Sequence, residues 1–405
     1  MTEPTLKSKM LWNAGGNLVY MMAQWILTVV VGRMDFEAAG ILSLGMSISA
    51  TFQTLAMFGI HNYQVSDIDG KYSHSCYISF RVVSCVFAFA ACILFAMTQG
   101  FGQTQFLAVA LYMIFRLAES FSDVFLAIAQ RLDRIDITGK SFFVKAVGLL
   151  ILFLVTFIPT GNLNLGLLLM AGFSVASTFF FDVPSVRKLT SFRLWEPGTK
   201  KYALALETLP LCLYLFATTL ISTLPKLLLE SNTNEEVLGA YSSIFAPAVL
   251  ISAAAGYLYN PFVLQFAKAY HDRDYKAFWS LLMKILAVIM VFAGITVALA
   301  SLLGEFALVL LFGEKIIEYV YMLNPILIAI FANSIFILMG ILESIMHDFK
   351  WLLLACGLGV AMELFLTAPF IAWFGANGAS FVYALASVVA GIAMLLRMAV
   401  KLKSD

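Results

Sequence analysis

Long apolar stretches, separated by short polar turns, run through the whole 405-residue chain. Each stretch holds about 20 mostly apolar residues, the length that a helix needs to cross the hydrocarbon core of a bilayer. Backbone groups in lipid must be hydrogen-bonded internally, and the stretches are too long for barrel strands, so they predict helices. We expect twelve spans: residues 10–31, 38–60, 78–98, 105–129, 141–159, 163–183, 203–229, 238–260, 281–303, 320–342, 350–372 and 376–397.

Composition and charge predict an all-α polytopic membrane protein. Hydrophobic residues make up 61% of the chain and charged residues only 12%. Of the 25 Lys and Arg residues, 21 lie on the side of the membrane that holds the N terminus, the even-numbered loops and the C terminus. Basic loops stay in the cytoplasm, so we expect both termini there. The net charge of +1 gives no reason to expect nucleic acid, and Cys and His show no metal-binding spacing.

A turn followed by a helix occurs twice, 199 residues apart. Gly40 and Ser43 follow the first acidic turn, and Gly239 and Ser242 follow the second. A polar segment with two prolines, residues 184–201, lies midway, between spans six and seven. We therefore expect two six-helix lobes that are parallel repeats about an axis along the membrane normal. The expected bounds of the lobes are 1–195 and 196–405.

Charged side chains in the middle of a span are candidate functional groups, because each costs about 2.5–3.5 kcal/mol at a helix centre. Arg116, Glu119 and Asp123 share one face of span four, since they are three and seven residues apart. Two interpretations are open. The three residues form an ion-paired stripe between helices, or they line a cavity in which Glu119 or Asp123 carries a coupling proton or cation.

Other charges in the spans also allow two interpretations each. Arg81 and Lys145 lie about a turn from the cytoplasmic ends of their spans, where they either snorkel to lipid headgroups or bind an anion. Lys226 follows Pro225 near the outer end of span seven and either lines a cavity or snorkels outward. Glu363 lies deep in span eleven and is either paired across helices or isolated and protonated by burial.

Several short motifs around the two turns carry a family resemblance. They are Gly32-Arg33, Phe36, Gly40, Ser43, Phe58-Gly59 and Asn62-Tyr63 in the first half, and Gly239-Ala240-Tyr241-Ser242, Asn260-Pro261 and Asp274-Tyr275-Lys276 in the second. With these motifs the chain resembles the bacterial polysaccharide (O-antigen type) flippases of the multidrug/oligosaccharidyl-lipid/polysaccharide exporter superfamily. The first turn departs from that family by lacking a glycine.

The resemblance implies a carrier with two lobes and a central cavity in the bacterial plasma membrane. Such a carrier moves an undecaprenyl-pyrophosphate oligosaccharide from the inner to the outer leaflet by alternating access. It performs no covalent chemistry and needs no cofactor beyond a coupling proton or sodium ion, and other polysaccharide-assembly membrane proteins are expected partners. By position, the candidate pyrophosphate contacts are Arg33, Arg81, Arg116, Lys145 and Lys226. The candidate ion-coupling groups are Glu119, Asp123 and Glu363.

Three other functions stay open. A cation-coupled drug or metabolite exporter of the same superfamily would bind its cation at Glu119, Asp123 and Glu363. A polysaccharide polymerase or ligase would need a sizeable outer loop with a catalytic Arg or His. The expected outer loops are short, the longest being about residues 304–319, which argues against such an enzyme. A membrane organiser of glycan-synthesis enzymes would need none of its buried charges.

Overall fold

All regular structure in the described part of the chain is helical. The computed structural model describes residues 5–67, 70–198, 200–259, 262–346 and 348–404, and no strand occurs in these ranges. The helices are α1 Leu6–Met34, α2 Phe36–Met57, α3 Ile60–Ser66, α4 His74–Thr98, α5 Gln103–Arg131, α6 Ile135–Thr160, α7 Leu163–Ser177, α8 Val183–Arg187, α9 Lys200–Asn232, α10 Glu235–Tyr259, α11 Val263–His271, α12 Tyr275–Phe312, α13 Leu323–Ile345, α14 Phe349–Phe374 and α15 Asn377–Ser404. A π-helical turn, Thr178–Asp182, joins α7 to α8, and a 3₁₀ helix, Glu314–Met322, precedes α13.

The twelve predicted spans each correspond to one long helical segment, which confirms the fold class. Within the residues that the structure describes, ten of these segments are long and apolar enough to cross a membrane by length and composition alone. Helix α5 has 29 residues, but it carries three charged residues in its middle, which make it more polar. The cytoplasmic location of both termini stays a prediction. The Asn260-Pro261 motif lies outside the described residues.

Spans five and six are separate helices, as expected, but the turn between them is shorter than predicted. Pro159 lies inside the last turn of α6. Gly161 ends the helix with a φ of 64°, a left-handed conformation that favours glycine. The Asn162 side chain then accepts a hydrogen bond from the Leu165 N–H and so caps α7.

The prediction of an outer loop at residues 304–319 is wrong, because this region is mostly helical. Helix α12 continues to Phe312, and the 3₁₀ helix begins two residues later. The chain turns at Gly313, which has a φ of 83°. Apolar residues at regular spacing extend the helix beyond the length that a straight membrane crossing needs.

The helices pack into two compact units. Unit 1 consists of Met1–Thr28 and Leu44–Phe216, and unit 2 consists of Val29–Ser43 and Ala217–Asp405. Within unit 1, the core around α3, α4 and α5 includes Tyr77, Val124 and Phe125. Within unit 2, α15 packs along α13 and α14. The two six-helix lobes expected from the sequence, 1–195 and 196–405, stay a prediction.

The residues matched by the 199-residue offset meet one another within unit 2. A Cβ atom added to Gly40 would collide with the backbone carbonyl of Glu235, and one added to Gly239 would collide with that of Phe36. These two contacts are equivalent, because Phe36 and Glu235 are also 199 residues apart. One turn further along, the hydroxyls of Ser43 and Ser242 are hydrogen-bonded at 2.5 Å. The start of α2 therefore crosses the start of α10 with local twofold symmetry, which supports an internal repeat.

Candidate functional site: buried charges in the two units

Lys145 forms a buried ion pair in unit 1. Its Nζ donates to Asp182 Oδ2 at 2.7 Å and to Ser122 Oγ, while Ser122 Oγ donates to the same carboxylate oxygen at 2.5 Å. The Lys145 and Asp182 side chains are 2% and 0% exposed, which excludes snorkelling. Asp182 is the last residue of the π-helical turn, a feature often found at functional sites. The charge of Lys145 is therefore neutralised inside unit 1.

Arg81 is also buried, and it caps a break in a helix. Its Nη1 donates to the Ala56 carbonyl at 2.7 Å, and Ser84 Oγ donates to the same carbonyl at 2.7 Å. This carbonyl lies at the end of α2, where Phe58 and Gly59 both have positive φ, 52° and 67°. The carbonyls at a helix end need partners, and Arg81 supplies one. Full burial excludes snorkelling for Arg81 as well.

Asp123 connects Arg81 to the short helix α3. Its Oδ2 accepts from Arg81 Nη2 at 3.0 Å, and its Oδ1 lies 2.7 Å from Nδ1 of His61. The other imidazole nitrogen of His61 lies 3.2 Å from Gln130 Oε1. His61 follows the membrane-spanning segment Phe36–Met57. The hydrogen bond with Asp123 raises the pKa of His61 above its ordinary value, against the opposing effects of burial and of Arg81.

The loop after α3 is organised by Asp67. Its carboxylate accepts hydrogen bonds from the backbone N–H groups of Lys71 and Tyr72 and from the Tyr77 hydroxyl. Burial alone would raise the pKa of Asp67, but these hydrogen bonds outweigh burial and hold it below its ordinary value. Asp67 therefore holds the residues just before α4 and the first turns of that helix to the end of α3.

Arg116 and Glu119 form the second charged group on α5. Arg116 Nη1 lies 2.8 Å from Glu119 Oε2, which is the pairing that the three-residue spacing allows. The guanidinium also lies 5.3 Å and 5.4 Å from the ring centroids of Tyr112 and Phe115. The side chains of Arg116 and Glu119 are 20% and 13% exposed, so the pair is accessible to a ligand. Asp123, expected on the same face, instead binds Arg81 and His61.

Lys226 in unit 2 is a cation that contacts an aromatic ring. Its Nζ lies 3.9 Å from the centroid of the Phe245 ring, a cation–π contact between α9 and α10. Tyr241 stacks on the same ring at 6.0 Å, and Tyr383 of α15 lies 6.5 Å from it. No carboxylate of the described residues lies within 4 Å of Lys226. This ammonium group is the predicted cation best placed to accept an external anion.

Arg33 lies in mixed-charge surroundings near the turn between α1 and α2. Its Nη1 donates to the Leu310 carbonyl at 3.0 Å. It lines a cavity of about 240 Å³ together with Lys315, Glu37 and Glu236. The negative charges of these carboxylates oppose the binding of an anionic substrate in this cavity.

Glu363 is an isolated carboxylate in unit 2. Its Oε2 accepts from Thr367 Oγ1 at 2.9 Å, and its Oε1 is buried with no hydrogen-bond partner in the described structure. No Lys, Arg or His of the described residues lies within 4 Å of it. Of the two interpretations for Glu363, pairing across helices is therefore unsupported, and a carboxylate isolated by burial fits the structure.

Sequence reasoning missed two residues of these clusters, His61 and Asp182, and a further buried carboxylate, Glu343. Glu343 on α13 is buried, and neither carboxylate oxygen has a hydrogen-bond partner in the part of the chain that the structure describes. Asp182 gave a detectable signal, since it is a carboxylate at the end of an apolar span whose hairpin partner carries Lys145. His61 gave none, because both of its partners, Asp123 and Gln130, lie more than 60 residues away on another helix, α5.

Comparisons with known proteins were made by sequence and by structure. No protein-family profile matches the chain. The chain is 26% identical over 334 residues to a capsular polysaccharide biosynthesis protein, CapF, of Staphylococcus aureus. This alignment covers 80% of the present chain and 81% of CapF.

Two solved structures align with nearly the whole chain. A multidrug resistance MATE transporter of the MOP superfamily, in an inward-facing conformation, has a TM-score of 0.74 at 11% identity and covers 98% of both chains. The lipid II flippase MurJ, in an inward closed conformation, has a TM-score of 0.73 at 11% identity, over 96% of this chain and 87% of MurJ. The chain has the fold of the MOP-superfamily transporters.

This fold is the one that the resemblance inferred from the sequence implies. The acronym MOP stands for the multidrug, oligosaccharidyl-lipid and polysaccharide exporters named above. MATE and MurJ have nearly equal TM-scores with this chain, so fold similarity alone does not choose between a drug exporter and a lipid-linked flippase. That choice depends on the charged groups.

Proposed function

We propose that the chain is a flippase for a lipid-linked oligosaccharide in the bacterial plasma membrane. It moves an undecaprenyl-pyrophosphate glycan from the inner to the outer leaflet by alternating access, without making or breaking covalent bonds. The observation that carries the proposal is Lys226, an ammonium group held on an aromatic ring with no carboxylate of the described residues within 4 Å to neutralise it. The similarity to a capsular polysaccharide biosynthesis protein supports the same substrate class.

The five predicted anion contacts have different surroundings, and the proposal uses them differently. Lys145 and Arg81 are buried and bound to Asp182 and Asp123, so we assign them to the structure of unit 1. The described contacts leave Lys226 free of carboxylates and Arg116 accessible beside Glu119. We therefore assign the pyrophosphate to Lys226 of unit 2, because an ammonium group binds phosphate oxygens by charge-assisted hydrogen bonds, and contact with Arg116 of unit 1 stays a separate prediction.

Binding measurements with purified protein test this assignment. A short-chain polyprenyl pyrophosphate should raise the melting temperature more than the matching monophosphate. Lys226→Met should weaken pyrophosphate binding by about 10- to 100-fold, the loss expected for one charge-assisted hydrogen bond of about 1.5–3 kcal/mol. Lys284→Met is the matched control, because Lys284 is an exposed lysine on α12 of the same unit. Equal affinity of the Lys226→Met variant and the wild type would remove Lys226 from the site.

A cation-coupled exporter of small molecules is the second candidate. The isolated Glu363 carboxylate favours it, because a buried carboxylate with one unpartnered oxygen can receive a cationic drug or a coupling ion. This candidate predicts that cationic dyes bind to the wild type and that Glu363→Gln removes the binding. Pyrophosphate binding without dye binding favours the flippase.

A further inference from the structure

His61 lies between two hydrogen-bond acceptors. Asp123 Oδ1 is 2.7 Å from Nδ1, and Gln130 Oε1 is 3.2 Å from Nε2. A neutral imidazole has a single N–H and can satisfy only one of these oxygens, whereas an imidazolium satisfies both. If the Gln130 amide turns over, its NH₂ group can donate to the neutral ring. The same backbone arrangement therefore accommodates His61 with and without the second proton.

The groups around His61 come from several helices. From α4, Arg81 donates to the second oxygen of Asp123, while His61 lies against the first. On α9, the Glu207 carboxylate is held by side chains other than His61: Tyr63, Lys71 and Tyr72. The His61 side chain is 29% exposed, so a proton can reach it from solvent.

His61 is also one of the side chains that attach α3 to α5. The consecutive positive φ angles at Phe58 and Gly59 separate α3 from the hydrogen-bonded ladder of α2. Beyond this break, His61 contacts Asp123, and Gln64 Nε2 donates to the Val124 carbonyl at 3.1 Å. An attachment made by an imidazolium and a carboxylate is stronger than one made by a neutral ring. The protonation of His61 is therefore linked to how firmly α3 is docked.

We propose that His61, Asp123 and Gln130 form an exchangeable proton site that controls the docking of α3 on α5, and that this proton couples transport to a pH gradient. The coupling part rests on the proposed function, whereas the docking part does not. The pKa of His61 is raised in the folded protein, so the proton's contribution to docking is complete below the ordinary pKa of about 6.5. The contribution is lost as the pH rises through the raised value. Docking should therefore weaken on the alkaline side.

Titration of the histidines by NMR tests the proton site directly. With isotope-labelled histidine in the full-length protein, the signal that disappears in His61→Gln identifies His61. Its pKa should lie above the ordinary value in the wild type and in the control His271→Gln, which alters an exposed histidine on α11. Gln130→Met should lower it without leaving Arg81 unpaired, and Asp123→Asn should lower it further. A His61 pKa at or below about 6.5 in the wild type would overturn the proposal.

Hydrogen exchange of the 60–66 segment tests the docking. In the wild type and in His271→Gln, exchange should accelerate as the pH passes the His61 transition, after correction for the intrinsic rate. In His61→Gln, the corrected exchange should be fast and independent of pH. A wild type whose corrected exchange does not change across the transition contradicts the docking part.

Transport in vesicles with an imposed pH gradient tests the coupling. In the wild type, the transport rate with the gradient should differ from the rate without it. In His61→Gln the two rates should be equal, while movement of the substrate persists. Full gradient dependence in His61→Gln would overturn the coupling part. If the wild type moves no lipid-linked substrate at all, the proposed function fails, and the titration and exchange results still decide the proton site.

Discussion

The Lys145–Asp182 pair shows how single residues in this protein divide into structural and ligand-binding charges. Both side chains are almost fully buried, and Ser122 bridges them. Placing charges in a low-dielectric interior is costly, and removal of one partner leaves the other uncompensated. We therefore expect the pair to act in the folding of unit 1, whereas Lys226 remains available for a substrate.

Lys145→Met should unfold or strongly destabilise the protein, by about 3–5 kcal/mol, because Asp182 is then buried without its counter-charge. The double variant Lys145→Met, Asp182→Asn should recover much of the stability, since no charge remains unpaired. Thermal unfolding in detergent, followed by size-exclusion chromatography, measures both. A stable Lys145→Met protein that has lost only substrate binding would instead make Lys145 a substrate contact.

The charged residues within the spans could be identified from the sequence, but only some of their ion-pair partners could be predicted. Arg116 and Glu119 are three residues apart on one helix, so their pairing follows from helix geometry. The partners of Arg81 and Lys145 lie 42 and 37 residues away on other helices. Their pairing depends on how the helices pack, which spacing alone does not determine.

At the scale of elements, the close crossing of α2 and α10 depends on two glycines. Gly40 and Gly239 each leave space for a backbone carbonyl of the other helix. Small residues of this kind let membrane helices approach closely, where hydrogen bonds such as Ser43–Ser242 can form. The 199-residue offset predicted the matched positions but gave no sign that they touch.

Gly40→Ala should destabilise the protein by about 1–3 kcal/mol, because the added methyl group collides with a backbone carbonyl and forces the helices apart. The matched control is Gly294→Ala on α12, where an added methyl group has nothing within 4 Å. This control should be neutral or gain up to about 1 kcal/mol from the higher helix propensity of alanine. Melting temperatures of the two variants provide the comparison. Equal loss of stability in both would contradict the close crossing.

Helix ends and short elements were the features that the hydrophobic pattern predicted least well. The pattern located all twelve long segments, because runs of about 20 apolar residues dominate it. It missed the break at Phe58–Gly59 and the helix α11, Val263–His271. The break depends on contacts with other helices, and α11 is a short helix between two spans.

At the scale of the whole molecule, the distribution of basic residues predicts the orientation in the membrane. A fluorescent protein fused after Asp405 should fluoresce in bacteria, whereas alkaline phosphatase fused there should be inactive, since the phosphatase matures only outside the cytoplasm. A phosphatase fused in the 98–103 turn, expected outside, is the matched control and should be active. An active phosphatase at the C terminus would reverse the predicted topology.

The central proposal, that this chain flips a lipid-linked glycan, rests on the fold, on Lys226 and on the similarity to a capsule-synthesis protein. The direct test places purified protein in liposomes with a fluorescent polyprenyl-pyrophosphate oligosaccharide in both leaflets. A reagent that modifies only the outer leaflet reports redistribution, with and without a proton or sodium gradient. We predict rapid redistribution with the wild type and with Lys284→Met, and a loss of at least about tenfold with Lys226→Met. Folded wild-type protein that moves no lipid under either gradient would contradict the account.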